Sequence, residues 1–160
     1  MKILLTTLNS KYIHSNLALK YLYASAKNYR CMIDIAEFTI NQEDDYILTE
    51  ILRKGYDLVC FSCYIWNVEK TLYLAENLKK AKPDVRILFG GPEVSFDIIP
   101  FLNQYRFIDF LISGEGEGPF MELLGALQPN LPEFQELSKI KGLTYRQDGK
   151  IYVNSPAPLP

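Results

Sequence analysis

The sequence predicts a doubly wound α/β fold, five parallel strands wrapped by helices and followed by a β-hairpin. Three observations predict it. Short apolar, β-branched runs alternate with helical stretches about a dozen residues long, the rhythm of strand–helix–strand units. Connections from helix to strand are short, as at Asn28-Tyr29-Arg30 and Lys82-Pro83-Asp84. Connections from strand to helix are longer, at 8–15, 62–66, 90–94 and 114–116, and they carry the glycines and the unusual polar residues.

Strands are expected at 2–7, 31–38, 57–62, 85–90 and 109–113, and helices at 16–28, 43–54, 67–80, 95–103 and 117–127. The first strand opens on the apolar run Ile3-Leu4-Leu5. The third helix has the clearest pattern: Val68, Leu72, Ala75 and Leu78 recur at helical spacing, Asn67 is placed to cap its start, and Pro83 follows as a stop signal. Five such units with right-handed crossovers most often adopt the flavodoxin-like (Rossmann-like) order 2-1-3-4-5. The longer connections then share the carboxyl edge of the sheet, where open α/β folds bind ligands.

Past Leu127 the pattern changes. Pro129 and Pro132 break the chain, a short helix fits 132–139, and 142–154 reads as a hairpin turned by Asp148-Gly149. The last residues, Ser155-Pro156-Ala157-Pro158-Leu159-Pro160, read as an extended linker. The expected division is an α/β domain over 1–128, a connector over 129–154, and a linker over 155–160 that leads to a further domain.

Composition narrows the function. The chain has 160 residues, 48% hydrophobic and 22% charged, with a net charge of −2. That is ordinary for a globular domain and leaves no basic footprint for nucleic acid. No stretch approaches the roughly 18 apolar residues of a membrane span, so no membrane partner is expected. The start lacks a signal-peptide cleavage site, and the three cysteines fit a reducing compartment, so a cytoplasmic location is expected.

Each candidate site also admits an ordinary structural role. Gly90-Gly91-Pro92-Glu93 ends a strand with two glycines, which allow a flat ligand to lie on bare main chain or simply make a tight turn. Gly114-Glu115-Gly116-Glu117-Gly118 opens a helix, but its glutamates disfavour a pyrophosphate, so a rigid loop against a neutral ligand or a partner domain fits better. Ser62 ends the third strand, and Tyr64 and Trp66 after it are either lid packing or a ligand wall. Asn9, Ser10 and His14, the one histidine, lie on the first loop facing the same edge. Cys60 and Cys63 have CxxC spacing, but without a second pair they read as core thiols rather than zinc ligands.

Taken in order, the opening Lys2-Ile3-Leu4-Leu5, the helix from Asn16 to Ala24, Asp57-Leu58-Val59-Cys60-Phe61-Ser62, the Gly90-Gly91-Pro92-Glu93 and Gly114-Glu115-Gly116-Glu117 loops and the closing hairpin resemble the N-terminal cobalamin (vitamin B12)-binding domain of radical SAM proteins. That family includes proteins of the anaerobic magnesium-protoporphyrin IX monomethyl ester oxidative cyclase type, besides methyltransferases. The resemblance implies a corrinoid across the carboxyl edge, with its nucleotide tail in a crevice beside the first and third strands. It implies that Ser62 and Gly90-Gly91 line that crevice. It also implies a downstream radical SAM domain with a 4Fe-4S cluster, S-adenosylmethionine and a small-molecule substrate. The CxxxCxxC motif for the cluster is absent from this chain, so by itself it is not expected to be catalytic.

The DxHxxG motif of other cobalamin domains is not satisfied, since Tyr12 and Leu17 stand at its Asp and Gly positions around His14. His14 is therefore not expected to be an obligatory cobalt ligand. The same departure supports the alternative, a degenerate module without corrinoid that recognises a substrate or partner. A receiver domain is disfavoured because Thr6-Thr7, Ser62 and Ser113-Gly114 stand where it needs clustered acids, an aspartate and a lysine. A flavodoxin and a dinucleotide-binding domain are disfavoured by the first loop, Leu8-Asn9-Ser10-Lys11-Tyr12-Ile13-His14, which is not a glycine-rich phosphate loop. A bulky side chain at Gly91 is expected to block the tail crevice and leave the fold intact.

Overall fold

The structure, a computed structural model, describes residues 1–11, 15–129 and 131–157. Its sheet has seven strands in the order β2-β1-β3-β4-β5-β6-β7. The parallel part comprises β1 (Ile3–Asn9), β2 (Ile33–Thr39), β3 (Leu58–Ser62), β4 (Arg86–Gly90) and β5 (Phe110–Ile112). This is the expected 2-1-3-4-5 order. The hairpin, β6 (Leu143–Gln147) and β7 (Lys150–Val153), is more than an appendage, because β6 pairs antiparallel with β5 and extends the sheet. Asp148 and Gly149 turn it with φ of 49° and 75°, the paired left-handed conformation of a tight two-residue loop.

Strand alternation sends residues to two cores. On one face Leu4, Val59, Phe61, Ile87, Phe89 and Leu111 pack with α2 (Asp44–Lys54), α3 (Val68–Ala81) and α4 (Ile98–Gln104). On the other, Ile3, Leu5, Leu58, Cys60, Leu88, Phe110 and Ile112 pack with α1 (Leu17–Ser25), α5 (Glu117–Ala126) and α6 (Glu133–Leu137). β1 is buried along its whole length, as a central strand covered on both faces must be.

Most element boundaries shift by a residue or two, and two regions differ for a visible reason. The first helix stops at Ser25, and a 3₁₀ turn over Lys27–Met32 follows, so the next strand starts at Ile33 rather than at 31. Arg30 donates to the carbonyls of Tyr23 and Ala24 at 3.2 and 2.9 Å, satisfying acceptors that the helix end leaves open. The fourth helix starts at Ile98 rather than 95, because Pro92–Val94 forms a 3₁₀ turn and Asp97 adopts a left-handed conformation with φ of 47°. Asn67 precedes α3 without a side-chain cap bond. Its side chain is used on the sheet edge instead. Among the described residues, no helix is long and apolar enough to cross a membrane.

Candidate functional site

A cleft of about 460 Å³ opens at the carboxyl edge, between α1 and α5 and over the ends of β3, β4 and β5. This volume lies in the range of about 300–1,000 Å³ for small-molecule sites. Its walls follow from periodicity. Cys60 and Ser62 on β3, Leu88 and Gly90 on β4, and Ile112 on β5 point to the same sheet face. Leu19 and Leu22 on α1 and Phe120 on α5 close the sides, and the exposed Phe96 stands at the rim. The lining is mostly apolar, with Ser62, Tyr64, Ser95, Glu115 and Glu117 as its polar members.

Of the expected site residues, Ser62, Tyr64, Gly90, Gly91, Pro92, Gly114, Glu115 and Gly116 line this cleft. Asn9, Ser10, Trp66 and Glu93 stand outside its lining, and His14 lies outside the described residues. The cleft is also displaced from the crevice that the resemblance implied. It uses β3, β4 and β5, and no residue of β1 lines it. The sequence reading missed Leu19, Leu22, Cys60, Leu88, Phe96, Ile112 and Phe120. Most could have been found by stepping back two residues from each strand end and following the apolar face of α1.

The two glycines of the Gly90-Gly91 pair do different work. A Cβ on Gly91 would stand 2.4 Å from the Cys63 carbonyl oxygen and 2.9 Å from the Cys63 nitrogen, and its φ is 108°. Close packing against backbone therefore requires glycine there, and the expectation that a bulky residue at Gly91 leaves the fold intact is wrong. A Cβ on Gly90 would meet only the Ile112 carbonyl, at an ordinary 3.6 Å. Packing does not demand a glycine at 90, yet its absent side chain would project into the cleft. Gly114, with φ of 80°, has open space where its Cβ would be. The floor is thus bare main chain that a flat group can approach.

Tyr64 is held on three sides. Its backbone N–H donates to Asn67 Oδ1 at 2.9 Å, its ring stacks on Trp66 at 4.6 Å, and its hydroxyl accepts from Asn16 Nδ2 at 3.1 Å. Trp66 in turn donates from Nε1 to the Leu8 carbonyl at 3.2 Å. Asn67 Nδ2 reaches the carbonyls of Leu8 and Ser62 at 3.0 and 3.3 Å, which ties the loop after β3 to the end of β1. Trp66 is therefore a brace behind Tyr64.

The thiols belong to the two cores. Cys60 packs on the cleft face and Cys63 on the opposite one, as an odd offset along a strand requires. Burial pushes both thiols well above their ordinary range, with the charge of Glu93 adding to the effect at Cys63. They stay protonated, and a protonated thiol is a poor nucleophile and a poor metal ligand.

An open α/β sheet whose apolar cleft lies at the strand carboxyl ends defines a small-molecule-binding domain of the doubly wound class. Residues 3–124 match the B12 binding domain family, and the chain belongs to that family. Among its relatives, the cobalamin-dependent radical SAM methyltransferase TokK of Streptomyces tokunonensis is 30% identical over 101 residues, 63% of this chain and 14% of that protein. The anaerobic magnesium-protoporphyrin IX monomethyl ester cyclase of Synechocystis sp. is 33% identical over 89 residues, 56% of this chain and 16% of that protein. The cobalamin-dependent S-adenosylmethionine radical enzyme OxsB, solved with aqua-cobalamin and S-adenosylmethionine bound, superposes with a TM-score of 0.75 at 16% identity, over 99% of this chain and 22% of OxsB. At that identity the likeness is one of fold. The aligned part is less than a fifth of each of these two sequence relatives.

Proposed function

We propose that the chain is the cobalamin-binding module of a cobalamin-dependent radical SAM enzyme. The nucleotide tail of the corrinoid sits in the cleft between α1 and α5, and the corrin lies over the loops of the carboxyl edge. Gly90 is the observation that carries this reading: an apolar, ligand-sized cleft is floored by a glycine that packing alone does not require. The cleft suits the flat, bicyclic base of the tail better than a whole corrin. Leu19, Leu22, Leu88, Ile112 and Phe120 would sandwich that base and keep water from it. Ser62 and Tyr64 supply hydroxyls that fix its orientation. Glu115 and Glu117 would turn the tail phosphate away from the start of α5 by like-charge repulsion.

Bound cobalamin supplies a cobalt centre able to carry a methyl group or an electron. The residues of this chain bind it, orient it and exclude solvent. In the full-length protein the partner is a radical SAM domain of the same chain, holding a 4Fe-4S cluster, S-adenosylmethionine and the small-molecule substrate of a methyl transfer or an oxidative cyclisation. The small share of TokK, the cyclase and OxsB that this chain spans supports that arrangement. Residues 1–128 form the binding unit, 129–154 the connector, and 155–160 the linker, whose residues 158–160 lie outside the described ones.

Equilibrium dialysis against hydroxocobalamin tests the reading. The folded chain should retain the corrinoid at one equivalent, with a shifted visible spectrum. Absence of retention by folded protein, alone and within the full-length chain, would leave the degenerate-module alternative as the better account.

A further inference from the structure

A carboxylate outside the cleft is joined to its wall by a chain of hydrogen bonds. Glu37 lies near the end of β2, opposite Thr7 of β1. Its two oxygens accept from Asn9 Nδ2 at 2.6 Å, from Ser15 Oγ at 3.3 Å and from the Asn16 backbone N–H at 2.9 Å. One ionised group thus gathers the residues on both sides of the segment joining β1 to α1. Bonds of this kind are charge-assisted and stronger than neutral ones.

Asn16 passes the constraint on. Its Oδ1 accepts from Leu19 N–H at 3.2 Å, capping α1, so its Nδ2 is the end that donates to the Tyr64 hydroxyl at 3.1 Å. Because the cap fixes which end of the amide faces Tyr64, the phenol must accept. Its own proton is then left for an acceptor such as an amide or phosphate oxygen of a ligand. Tyr64 lines the cleft and stacks on Trp66 with the rings 4° from parallel.

We propose that Glu37 is a positioning residue for the cleft, fixing Asn16, and through it the place and donor polarity of the Tyr64 hydroxyl. The inference rests on the cobalamin reading for its ligand, but the relay itself is a property of the ligand-free chain.

Trp66 is the one tryptophan, so its emission and near-ultraviolet dichroism report the Tyr64 stack directly. In the ligand-free chain, Glu37→Ala should change both signals while the far-ultraviolet spectrum holds. Asn16→Ser, which keeps a capping oxygen but removes the donor to Tyr64, should do the same and serves if Glu37→Ala does not fold. With hydroxocobalamin as the probe, each substitution should weaken binding about tenfold. A merely structural Glu37 is separated by a double-mutant cycle. In a Tyr64→Phe background, Glu37→Ala should add less than about twofold, because the hydroxyl it positions is gone. An unchanged Trp66 signal, or the same tenfold loss in both backgrounds, overturns the proposal. If the unsubstituted chain retains no hydroxocobalamin, the fault lies with the cobalamin reading, and the ligand-free spectra alone decide the relay.

Discussion

The two edges of the sheet are built on opposite terms. At the amino edge, polar groups close on one another. The Lys2 backbone N–H donates to Asp57 at 2.7 Å, and its ammonium reaches the Lys54 carbonyl at 2.8 Å. Asp109 accepts from Lys79 and from the Ile87 N–H, both at 2.8 Å. Arg146 donates to the carbonyls of Leu102 and Ile108 at 2.6 and 3.3 Å. At the carboxyl edge, Ile65 and Phe96 are 78% and 77% exposed beside an apolar cleft. Apolar surface left uncovered beside the cleft leaves room for a ligand at the carboxyl edge, whereas the amino-edge bonds only tie the fold together. Substitutions that fill the cleft should therefore move binding, whereas those that break amino-edge bonds or close backbone packing should move stability.

The sharpest test of this separation lies within one dipeptide. Gly90→Leu fills the cleft and should weaken hydroxocobalamin binding by about 3 kcal/mol, a hundredfold or more, while the melting temperature stays within a few degrees. Gly91→Ala should instead destabilise the fold by about 3 kcal/mol in chemical denaturation, because its Cβ meets the Cys63 backbone at a positive φ. Equal effects of the two on binding and stability would erase the distinction drawn between them. At the amino edge, Asp109→Ala should destabilise by about 2 kcal/mol and leave affinity unchanged.

A pH effect of smaller size follows at the same edge. Burial raises the Tyr56 phenol above its ordinary value, helped by its hydrogen bond to Asp34 and by the charge of that carboxylate. The folded state thus holds this proton more tightly than the unfolded chain. Its contribution is whole below about pH 10, the unfolded phenol value, and is lost as pH rises from there toward the folded value. Denaturation curves above pH 10 should fall less steeply for Tyr56→Phe than for the unsubstituted chain. Smallest of all, a thiol reagent should label one cysteine in the native protein, the exposed Cys31, and all three after unfolding. Rapid native labelling of Cys60 would mean that the cleft wall opens.

Much of this was legible in the sequence for a physical reason. Alternation with period two and helical spacing fix which residues face which core, and the loops after β3, β4 and β5 had to meet at one edge. The order 2-1-3-4-5 follows from the same units. What escaped depends on side-chain contacts that no local pattern encodes. Asn67 has the residue type and place of a helix cap, yet its amide is spent on Ser62 and Leu8. Gly90 and Gly91 look alike as letters, and only the Cys63 backbone tells them apart. Glu37, a charge within a strand, reads as a solvated edge residue until Asn9, Ser15 and Asn16 are seen around it. The hairpin is easy to see in sequence, but its pairing with β5 is a long-range contact.

The cleft between α1 and α5 is the proposed seat of the corrinoid tail. Crystals of the chain grown with hydroxocobalamin, measured at the cobalt absorption edge, test it most directly. One cobalt peak is expected above the carboxyl edge, with the benzimidazole base resting on Gly90 between Leu19 and Phe120. Cobalt bound elsewhere, or a base lying outside an empty cleft, would contradict it.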